Sequence, residues 1–402
     1  MKIYFKIISL GLLTALCFSA FIYFEEYNLS NKLLNTIFAL SSLALFLYIP
    51  KRSIPIAGFT VGLLWFYWIG YSFEYQGVGY MTPIITLAFG FIYLLFFLPL
   101  YFTQKAYFRA LLLFGLSFIE PFDWNWLQVE LIFVESYIGI YKYQLILVLL
   151  ALSLPQFIEK KKYKFLPLIL LLGALNFNYD KKEDAPLKIK LIETHIKQDY
   201  KWKREALLPT VTMVFKEIEN AKKEMYDVVV FPESVIPLYL NRNKRLIKEL
   251  QKASKNIAVI VGSLLIENQH SYNVTYLFNN GKIEIAKKLV LVPFGEYIPL
   301  PKFAQKFIND TFFSGVSDFL TAQHPSDFII KGVKFRNAIC YEATCSEIYE
   351  GDVDYVIATS NNAWFAPSIE VTLQRLLLKY YAHKNGVTIY HSANYKGSGV
   401  IK

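Results

Sequence analysis

Residues 288–296 read Lys-Leu-Val-Leu-Val-Pro-Phe-Gly-Glu, a lysine followed by an apolar run that ends in Pro-Phe-Gly-Glu. Two other segments place a reactive group at the end of an apolar run: residues 230–234 carry Glu233 after a proline, and residues 338–342 carry Cys340. A side chain at the end of a buried strand is held rigidly and stays accessible to a substrate. The three segments therefore predict a shared site with a carboxylate, an ammonium and a thiol.

Each of these groups has a more ordinary interpretation when it is taken alone. Cys340 could be a buried core cysteine, the common environment of a lone thiol. Glu233 could be a solvated turn residue, although Pro232 stops the preceding strand and so puts Glu233 at the sheet edge. Lys288 competes with Lys287, because neighbours on a strand face opposite sides. Spacing alone leaves the choice of lysine open.

If the three groups meet, they have the requirements for acyl chemistry. A partly buried carboxylate such as Glu233 could accept the proton of the Cys340 thiol. A lysine ammonium could stabilise the oxyanion of a tetrahedral intermediate.

The composition of the chain differs between its two halves. The 402 residues are 54% hydrophobic and 18% charged, whereas soluble proteins carry about 25% charged residues. Long uncharged stretches occupy residues 1–179, and residues 180–402 have the composition of a soluble domain. The sequence therefore predicts two domains joined by a polar linker at residues 180–186. Three cysteines give no disulfide framework.

Seven apolar segments in the first domain are candidates for membrane-spanning helices, which need about 20 apolar residues. They are residues 7–24, 33–49, 54–73, 81–102, 106–119, 143–158 and 165–178. The fifth is short and bracketed by Arg109 and Glu120, so it spans only if both side chains reach the interface. Otherwise it is an interfacial or re-entrant segment, and we expect six or seven spans.

The charged loops between these segments predict the orientation in the membrane. Basic residues lie at 51–52, 105–109 and 160–164, and acidic residues lie in the alternate loops. Basic loops mark the cytoplasmic side, so seven crossings put residues 180–402 on the outer face. These loops also account for part of the net charge of +10, which argues against nucleic-acid binding. The aromatic stretch at 122–143 is expected to be an interfacial belt, with a lipid-access surface as the alternative.

The second domain alternates short apolar runs with amphipathic stretches. Strands are expected at 187–192, 228–231, 257–265, 353–359 and 387–392, and helices at 202–223, 244–254 and 369–383. Hairpins are expected at the turn sequences 279–282 and 331–332. This alternation predicts an α/β domain with buried sheets.

The three segments together resemble the nitrilase superfamily and, within it, the membrane-anchored apolipoprotein N-acyltransferase family. The resemblance rests on Phe-Pro-Glu-Ser at 231–234, on Lys288 followed by Leu-Val-Pro-Phe-Gly-Glu at 291–296, and on Ile-Cys-Tyr-Glu at 339–342. Residues 196–202, 271–273 and 360–365 are similar to further segments of the family. The resemblance covers residues 187–402 closely, and the membrane half in its helix layout. It selects Lys288 over Lys287.

The resemblance implies a multi-span helical membrane bundle followed by an αββα sandwich, and it implies a reaction. Glu233 would deprotonate Cys340, the thiolate would attack a phospholipid ester, and Lys288 would stabilise the oxyanion. The resulting thioester would acylate the N-terminal amine of a diacylglyceryl-cysteine apolipoprotein. The implied supporting carboxylates are Glu296 and Glu342. The implied substrate-contacting residues are Tyr341, Trp364, Asn273 and Tyr297.

The same resemblance implies the partners and the location. The partners would be a phospholipid acyl donor, a diacylglyceryl apolipoprotein and membrane lipids, with no nucleic acid and no cofactor, and we expect a monomer. The five histidines are scattered without a recognisable ligand pattern, so no metal is expected. The implied location is the bacterial inner membrane, with the catalytic domain on the periplasmic side.

The sequence also departs from the family. The substituted positions are Asn362 for Asp, Ala366 for Gly and Glu193 for Gln. Cys345 follows Cys340 closely, and a helix beginning at Glu342 is expected to keep the two thiols apart. The family continues beyond the equivalent of residue 401 with more strands and a last spanning helix, which the domain at 187–402 is expected to lack.

Two other functions remain open from the sequence. One is a membrane-tethered amidase or nitrilase that hydrolyses a small amide or nitrile. The other is an inactive membrane scaffold or a transporter, against which the lack of ionisable residues inside most spanning segments argues.

Overall fold

The computed structural model describes residues 2–177, 183–293, 295–297 and 319–402. The chain divides into two compact units, Met1–Tyr179 with Ser368–Tyr380, and Asp180–Pro367 with Tyr381–Lys402. One boundary between the units lies at residues 179–180, and the first residues of the predicted linker at 180–186 lie outside the described residues. The assignment of Ser368–Tyr380 to the first unit differs from the expected division of the chain.

The first unit is helical. Its helices are α1 (Lys2–Glu26), α2 (Lys32–Tyr48), α3 (Ile54–Phe66), α4 (Thr82–Phe97), α5 (Ala106–Leu116), α6 (Lys142–Ser153) and α7 (Leu170–Ala174). In the part of the chain that the structure describes, three helical stretches are long and apolar enough to cross a membrane: Lys2–Glu26, Lys51–Tyr75 and Gly79–Phe102. Lys32–Tyr48, Ala106–Leu116 and Lys142–Phe157 are shorter apolar helices.

The expected seventh span differs most from its prediction. Residues 165–178 contain a 3-10 helix at Leu166–Ile169 and the five-residue helix α7, and residue 178 lies outside the described residues. The total of six or seven spans stays a prediction.

Arg109, one of the two charged residues that bracket the fifth candidate span, is buried. Its side chain is 0% exposed, and its guanidinium donates to the carbonyls of Ile49 at 2.7 Å and Phe46 at 3.2 Å. The last carbonyls of a helix have no partner inside the helix. Arg109 therefore caps the C-terminal end of α2, and it does not meet the condition under which residues 106–119 were expected to span.

The tryptophans of the aromatic stretch are also buried. Trp124 and Trp126 are 5% and 3% exposed, and their rings lie 5.3 Å apart, with Trp68 5.2 Å from Trp126. The prediction of an interfacial belt is wrong for these two residues, because they pack in the core of the first unit.

Polar contacts explain why Ser368–Tyr380 groups with the helical unit. Lys379 forms ion pairs with Glu25 at 3.0 Å and with Glu135 at 2.5 Å. The hydroxyl of Tyr380 donates to Glu130 at 3.1 Å. These contacts join a distant part of the chain to α1 and to the segment before α6, which no local pattern in the sequence indicates.

The second unit contains ten strands among the described residues. They are β1 (Ile189–Leu191), β2 (Val228–Val230), β3 (Ala258–Glu267), β4 (His270–Asn279), β5 (Lys282–Lys287), β6 (Asp327–Ile330), β7 (Val333–Ile339), β8 (Tyr355–Asn361), β9 (Thr388–Asn394) and β10 (Gly399–Ile401). The helices are α8 (Gln198–Lys201), α9 (Arg204–Lys223) and α10 (Lys244–Ala253), and α11 (Glu370–Asn385) crosses the boundary between the units. The expected helices, strands and hairpins are present, whereas β10 was not expected.

The strands form two five-stranded sheets, β1-β2-β3-β4-β5 and β10-β9-β8-β7-β6. Residues of both sheets share one apolar core, to which Val230 and Ile260 of the first sheet and Phe335 and Ile357 of the second belong. A second core lies between the first sheet and helices α9 and α10. The layers agree with the α/β sandwich expected from the sequence.

Strand direction determines where the chemical groups lie. β1, β2 and β3 are parallel. β4 is antiparallel to both β3 and β5, so β5 runs in the same direction as β2. Glu233 and Lys288 therefore follow strands that end at the same edge of the first sheet. Cys340 follows β7, which is parallel to β8 in the second sheet.

Candidate active site

Cys340 lies in a strained turn at the end of β7. Its φ is +57°, a left-handed conformation that costs a non-glycine residue about 1–3 kcal/mol. The turn is a 3-10 helix, Cys340–Thr344, rather than the helix expected to begin at Glu342. The thiol in this turn is half-buried, which suits a nucleophile.

Cys345 lies in a different environment from Cys340. Its side chain is 3% exposed, and its sulfur lies 3.6 Å from the carbonyl oxygen of Tyr341. The described cysteines, these two among them, form no disulfide.

Glu233 follows β2 and is held by an amide. Its side chain is 8% exposed, and its Oε1 accepts a hydrogen bond of 2.7 Å from Nδ2 of Asn273. The backbone carbonyl of Asn273 accepts from the backbone N–H of Lys288 at 2.9 Å. Asn273 therefore links the carboxylate to the lysine, and its contact with substrate stays a prediction.

Gly262 on β3 lies directly against the turn that carries Glu233. A Cβ atom at residue 262 would lie 2.4 Å from the backbone nitrogen of Ser234 and 2.7 Å from Cα of Glu233. Backbone atoms cannot give way as a flexible side chain can. Only glycine leaves room for this turn beside β3.

Lys288 is a buried cation surrounded by negative groups. Its side chain is 1% exposed, and its Nζ lies 2.6 Å from Oε2 of Glu296. Burial opposes the charge, but Glu296, Glu233 and Cys340 outweigh it and raise the pKa of Lys288. Lys288 is therefore protonated at any physiological pH.

Glu296 holds Lys288 through a tight turn. Its Oε2 also accepts from the backbone N–H of Val292 at 2.9 Å. One carboxylate oxygen thus fixes both the ammonium and the Val-Pro-Phe-Gly-Glu segment, in which Phe294 lies outside the described residues.

Lys287 faces away from this group. Its Nζ lies 2.5 Å from Glu267 and 4.0 Å from the centre of the Tyr272 ring. Of the two lysines, Lys288 is the one that lies with Glu296, Glu233 and Cys340.

Glu342 connects the Cys340 turn to the chain after Lys288. Its carboxylate accepts from the backbone N–H groups of Ile339 at 2.7 Å, Leu289 at 2.6 Å and Val290 at 3.0 Å. Burial raises the pKa of Glu342 to about 7, against the opposing effects of Lys288 and these hydrogen bonds. This side chain keeps the thiol turn and the lysine segment in register.

Both halves of the chain match known protein families. Residues 4–177 match the apolipoprotein N-acyltransferase integral membrane domain, and residues 188–396 match the carbon-nitrogen hydrolase domain. A Wolinella succinogenes protein named apolipoprotein N-acyltransferase is 42% identical over 397 residues, covering 98% of this chain and 96% of that protein. A Helicobacter pylori protein of the same name is 40% identical over 383 residues, covering 94% of this chain and 89% of that protein.

The chain belongs to the apolipoprotein N-acyltransferase family. It is a membrane protein and an N-acyltransferase, and the resemblance drawn from its three segments is confirmed. Among solved structures, an amidase from Nesterenkonia sp. shares 14% identity and a TM-score of 0.39, covering 56% of this chain and 82% of that one.

For the remaining predicted site residues of this N-acyltransferase, the structure gives the burial and the local position. Trp364 is half-buried in the turn Asn362–Trp364, and Tyr297 is half-buried opposite Pro293. Tyr341 is 3% exposed, and its contact with substrate stays a prediction. Residues 298–318, which follow Tyr297, lie outside the described residues.

Two of the residues that depart from the family pattern, Asn362 and Glu193, form hydrogen bonds to the backbone. The side chain of Asn362 donates to the carbonyl of Lys396 at 2.9 Å. Glu193 accepts from the backbone N–H of Ser398 at 3.2 Å. Neither contact involves Glu233, Lys288 or Cys340.

The sequence interpretation missed Lys201. This lysine is 2% exposed, and its Nζ donates to the backbone carbonyl of Glu233 at 3.0 Å. Burial lowers its pKa to about 8, although Glu233 and Cys340 act to raise it. Lys201 lies between Tyr200 and Trp202 in a lysine-rich stretch, and a lysine there is typical of a solvated face. The similarity of residues 196–202 to the family is the one signal in the sequence that includes it.

Proposed function

We propose that the protein transfers an acyl chain from a phospholipid to the N-terminal amine of a diacylglyceryl-cysteine apolipoprotein, through a thioester on Cys340. The observation that carries this proposal is the hydrogen-bonded group in which Asn273 links Glu233 to Lys288 and Glu342 links the chain after Lys288 to the Cys340 turn. The names of the relatives and the membrane domain support the choice of lipid substrates.

The first half-reaction forms the acyl-enzyme. Glu233 accepts the proton of the Cys340 thiol, and the thiolate attacks the carbonyl carbon of the phospholipid ester. Lys288 stabilises the negative charge that develops on the carbonyl oxygen. The ester C–O bond then breaks, Glu233 returns the proton to the departing lysophospholipid oxygen, and the acyl group stays on sulfur.

The second half-reaction discharges the thioester. The neutral N-terminal amine attacks the thioester carbonyl, and Glu233 accepts the proton that the amine loses. When the C–S bond breaks, the thiolate leaves and regains that proton. A site that excludes water favours the amine over hydrolysis, and a membrane anchor brings both lipid substrates to a high effective concentration.

The proposal includes a location and a supporting role for two carboxylates. Glu296 and Glu342 orient Lys288 and the thiol turn. The loop charges favour the bacterial inner membrane with residue 180 onward on the periplasmic side. We propose that the protein acts there as a monomer.

The test uses the full chain in vesicles whose phospholipid carries a labelled acyl chain. We expect a hydroxylamine-labile adduct on the protein, and transfer of the label to a diacylglyceryl lipopeptide with a free N-terminal amine. The matched control is the same lipopeptide with an acetylated amine, which should receive no label. Release of the label as free fatty acid at the same rate with both peptides would contradict acyl transfer and favour a hydrolase.

Gly262 provides a separate test of the position of Glu233. Gly262→Ala forces the backbone at Glu233 and Ser234 to move, and a displacement of about 1 Å at a reacting group costs about 100-fold in rate. We expect the rate of adduct formation to fall by that order while the protein still folds. Gly115→Ala is the control, since its Cβ meets nothing within 4 Å. Equal rates in wild type and Gly262→Ala would show that the turn does not position the base.

A further inference from the structure

An amide network at the ends of two strands anchors the short helix that carries Lys201. Oε1 of Gln198, in the same short helix, accepts from Nδ2 of Asn361 at 2.8 Å. Oδ1 of Asn361 accepts in turn from Nδ2 of Asn394 at 2.8 Å. Asn361 ends β8 and Asn394 ends β9. The buried ammonium therefore belongs to a rigid part of the domain.

The ammonium of Lys201 faces the same two groups as Lys288. Its Nζ donates to the backbone carbonyl of Glu233, and the charges of Glu233 and Cys340 both act on it. A buried lysine costs free energy unless charged or polar partners compensate. For Lys201, the backbone carbonyl of Glu233 and the charges of Glu233 and Cys340 are the partners that offset the cost of burial.

Charge balance indicates a role for Lys201. The titratable side chains that the described residues bring to this group include Glu233 after β2, Lys288 with Glu296 after β5, Glu342 in the Cys340 turn, and Lys201 on α8. The carboxyl groups outnumber the single ammonium of Lys288, so Lys288 alone would leave an excess of negative charge beside the thiol. A second cation offsets this charge, and a nearby cation favours a thiolate.

We propose that Lys201 is a positioning residue that holds the Glu233 segment through its carbonyl and stabilises the Cys340 thiolate by its charge. The proposal rests on the proposed function, in which Cys340 is the nucleophile. Burial lowers the pKa of Lys201 to about 8, so its charge is present at neutral pH and is lost as the pH rises through that value. The stabilisation therefore acts at neutral pH.

The test is the pH dependence of Cys340 alkylation by iodoacetamide, with the modified cysteine identified by mass spectrometry. Lys201→Met removes the charge and the donor, and Lys201→Gln removes the charge but keeps an N–H donor. We expect both to raise the pH midpoint by about one unit, and to slow alkylation at pH 7 about ten-fold. Lys201→Arg keeps a charge and should restore the midpoint. Lys197→Met, at an exposed lysine before the same helix, is the matched control.

The outcomes separate this inference from the proposed function. An unchanged midpoint in folded Lys201→Met or Lys201→Gln would overturn the role of Lys201, even if the wild type forms the acyl adduct. A raised midpoint supports it, and needs no acyl donor. If Lys201→Met does not fold, Lys201→Gln and Lys201→Arg still decide, because a charge effect requires their midpoints to differ. Failure of the wild type to form any adduct would instead count against the proposed function.

Discussion

Cys340→Ala is expected to abolish the hydroxylamine-labile acyl adduct, whereas Cys345→Ala is expected to retain it. The reason is the different placement of the two thiols. Cys340 is half-buried in a left-handed turn at the end of β7. Cys345 is 3% exposed and lies against a backbone carbonyl. Alanine at 340 keeps the backbone of the turn and removes only the sulfur.

The measurement is labelling of purified protein in vesicles that carry a labelled acyl chain, followed by treatment with neutral hydroxylamine. Thermal unfolding of each variant shows whether the fold is intact. Cys340→Ser is informative as well, because a serine hydroxyl ionises far less readily than a thiol, and any residual adduct would be a hydroxylamine-resistant ester. Equal labelling of wild type and Cys340→Ala would falsify the assignment of the nucleophile.

The chemical groups were predictable because each lies in a local pattern. A proline before Glu233, an apolar run after Lys288 and a strand before Cys340 are visible within a few residues. The hairpin turns were predictable for the same reason, since Gly281 and Gly332 adopt φ values of +80° and +81° that glycine tolerates at no steric cost.

What the sequence did not reveal depends on contacts between distant residues. Lys201 and Glu233 are 32 positions apart, and Arg109 donates to the carbonyl of Ile49, which lies 60 positions earlier. Lys379 joins Glu25 across 354 positions. In each case a charged side chain is stabilised by partners that no local periodicity specifies. The sequence alone therefore predicts that such a lysine or arginine is exposed to solvent, and only the fold reveals the partners that allow its burial.

Lys287 and Lys288 are neighbours in the sequence, but the fold places them in different environments. Lys287 is the last residue of β5 and pairs with Glu267, which is 52% exposed in its side chain. Lys288 is 1% exposed beside Glu296. A salt bridge at the surface contributes about 0–1 kcal/mol, so the loss of Lys287 has little consequence. The loss of Lys288 leaves buried carboxylates unpaired, which is strongly destabilising.

Lys288→Met is expected to slow adduct formation by about 100- to 1,000-fold, the usual effect of removing an oxyanion-stabilising group. Lys287→Met should retain nearly the wild-type rate, because its ammonium faces Glu267 and Tyr272 rather than the thiol. Single-turnover labelling in vesicles measures both rates. A loss of rate confined to Lys287→Met would show that the wrong lysine had been chosen.

Instability could imitate a catalytic defect in Lys288→Met, and a double variant removes this ambiguity. Lys288→Met with Glu296→Gln removes both members of the ion pair and leaves one buried carboxylate fewer, so we expect it to recover folding stability. It lacks the ammonium, however, and should remain as slow in adduct formation as Lys288→Met alone. Recovery of both stability and rate would mean that Lys288 acts only by holding Glu296, because a group that stabilises the oxyanion cannot be replaced by methionine.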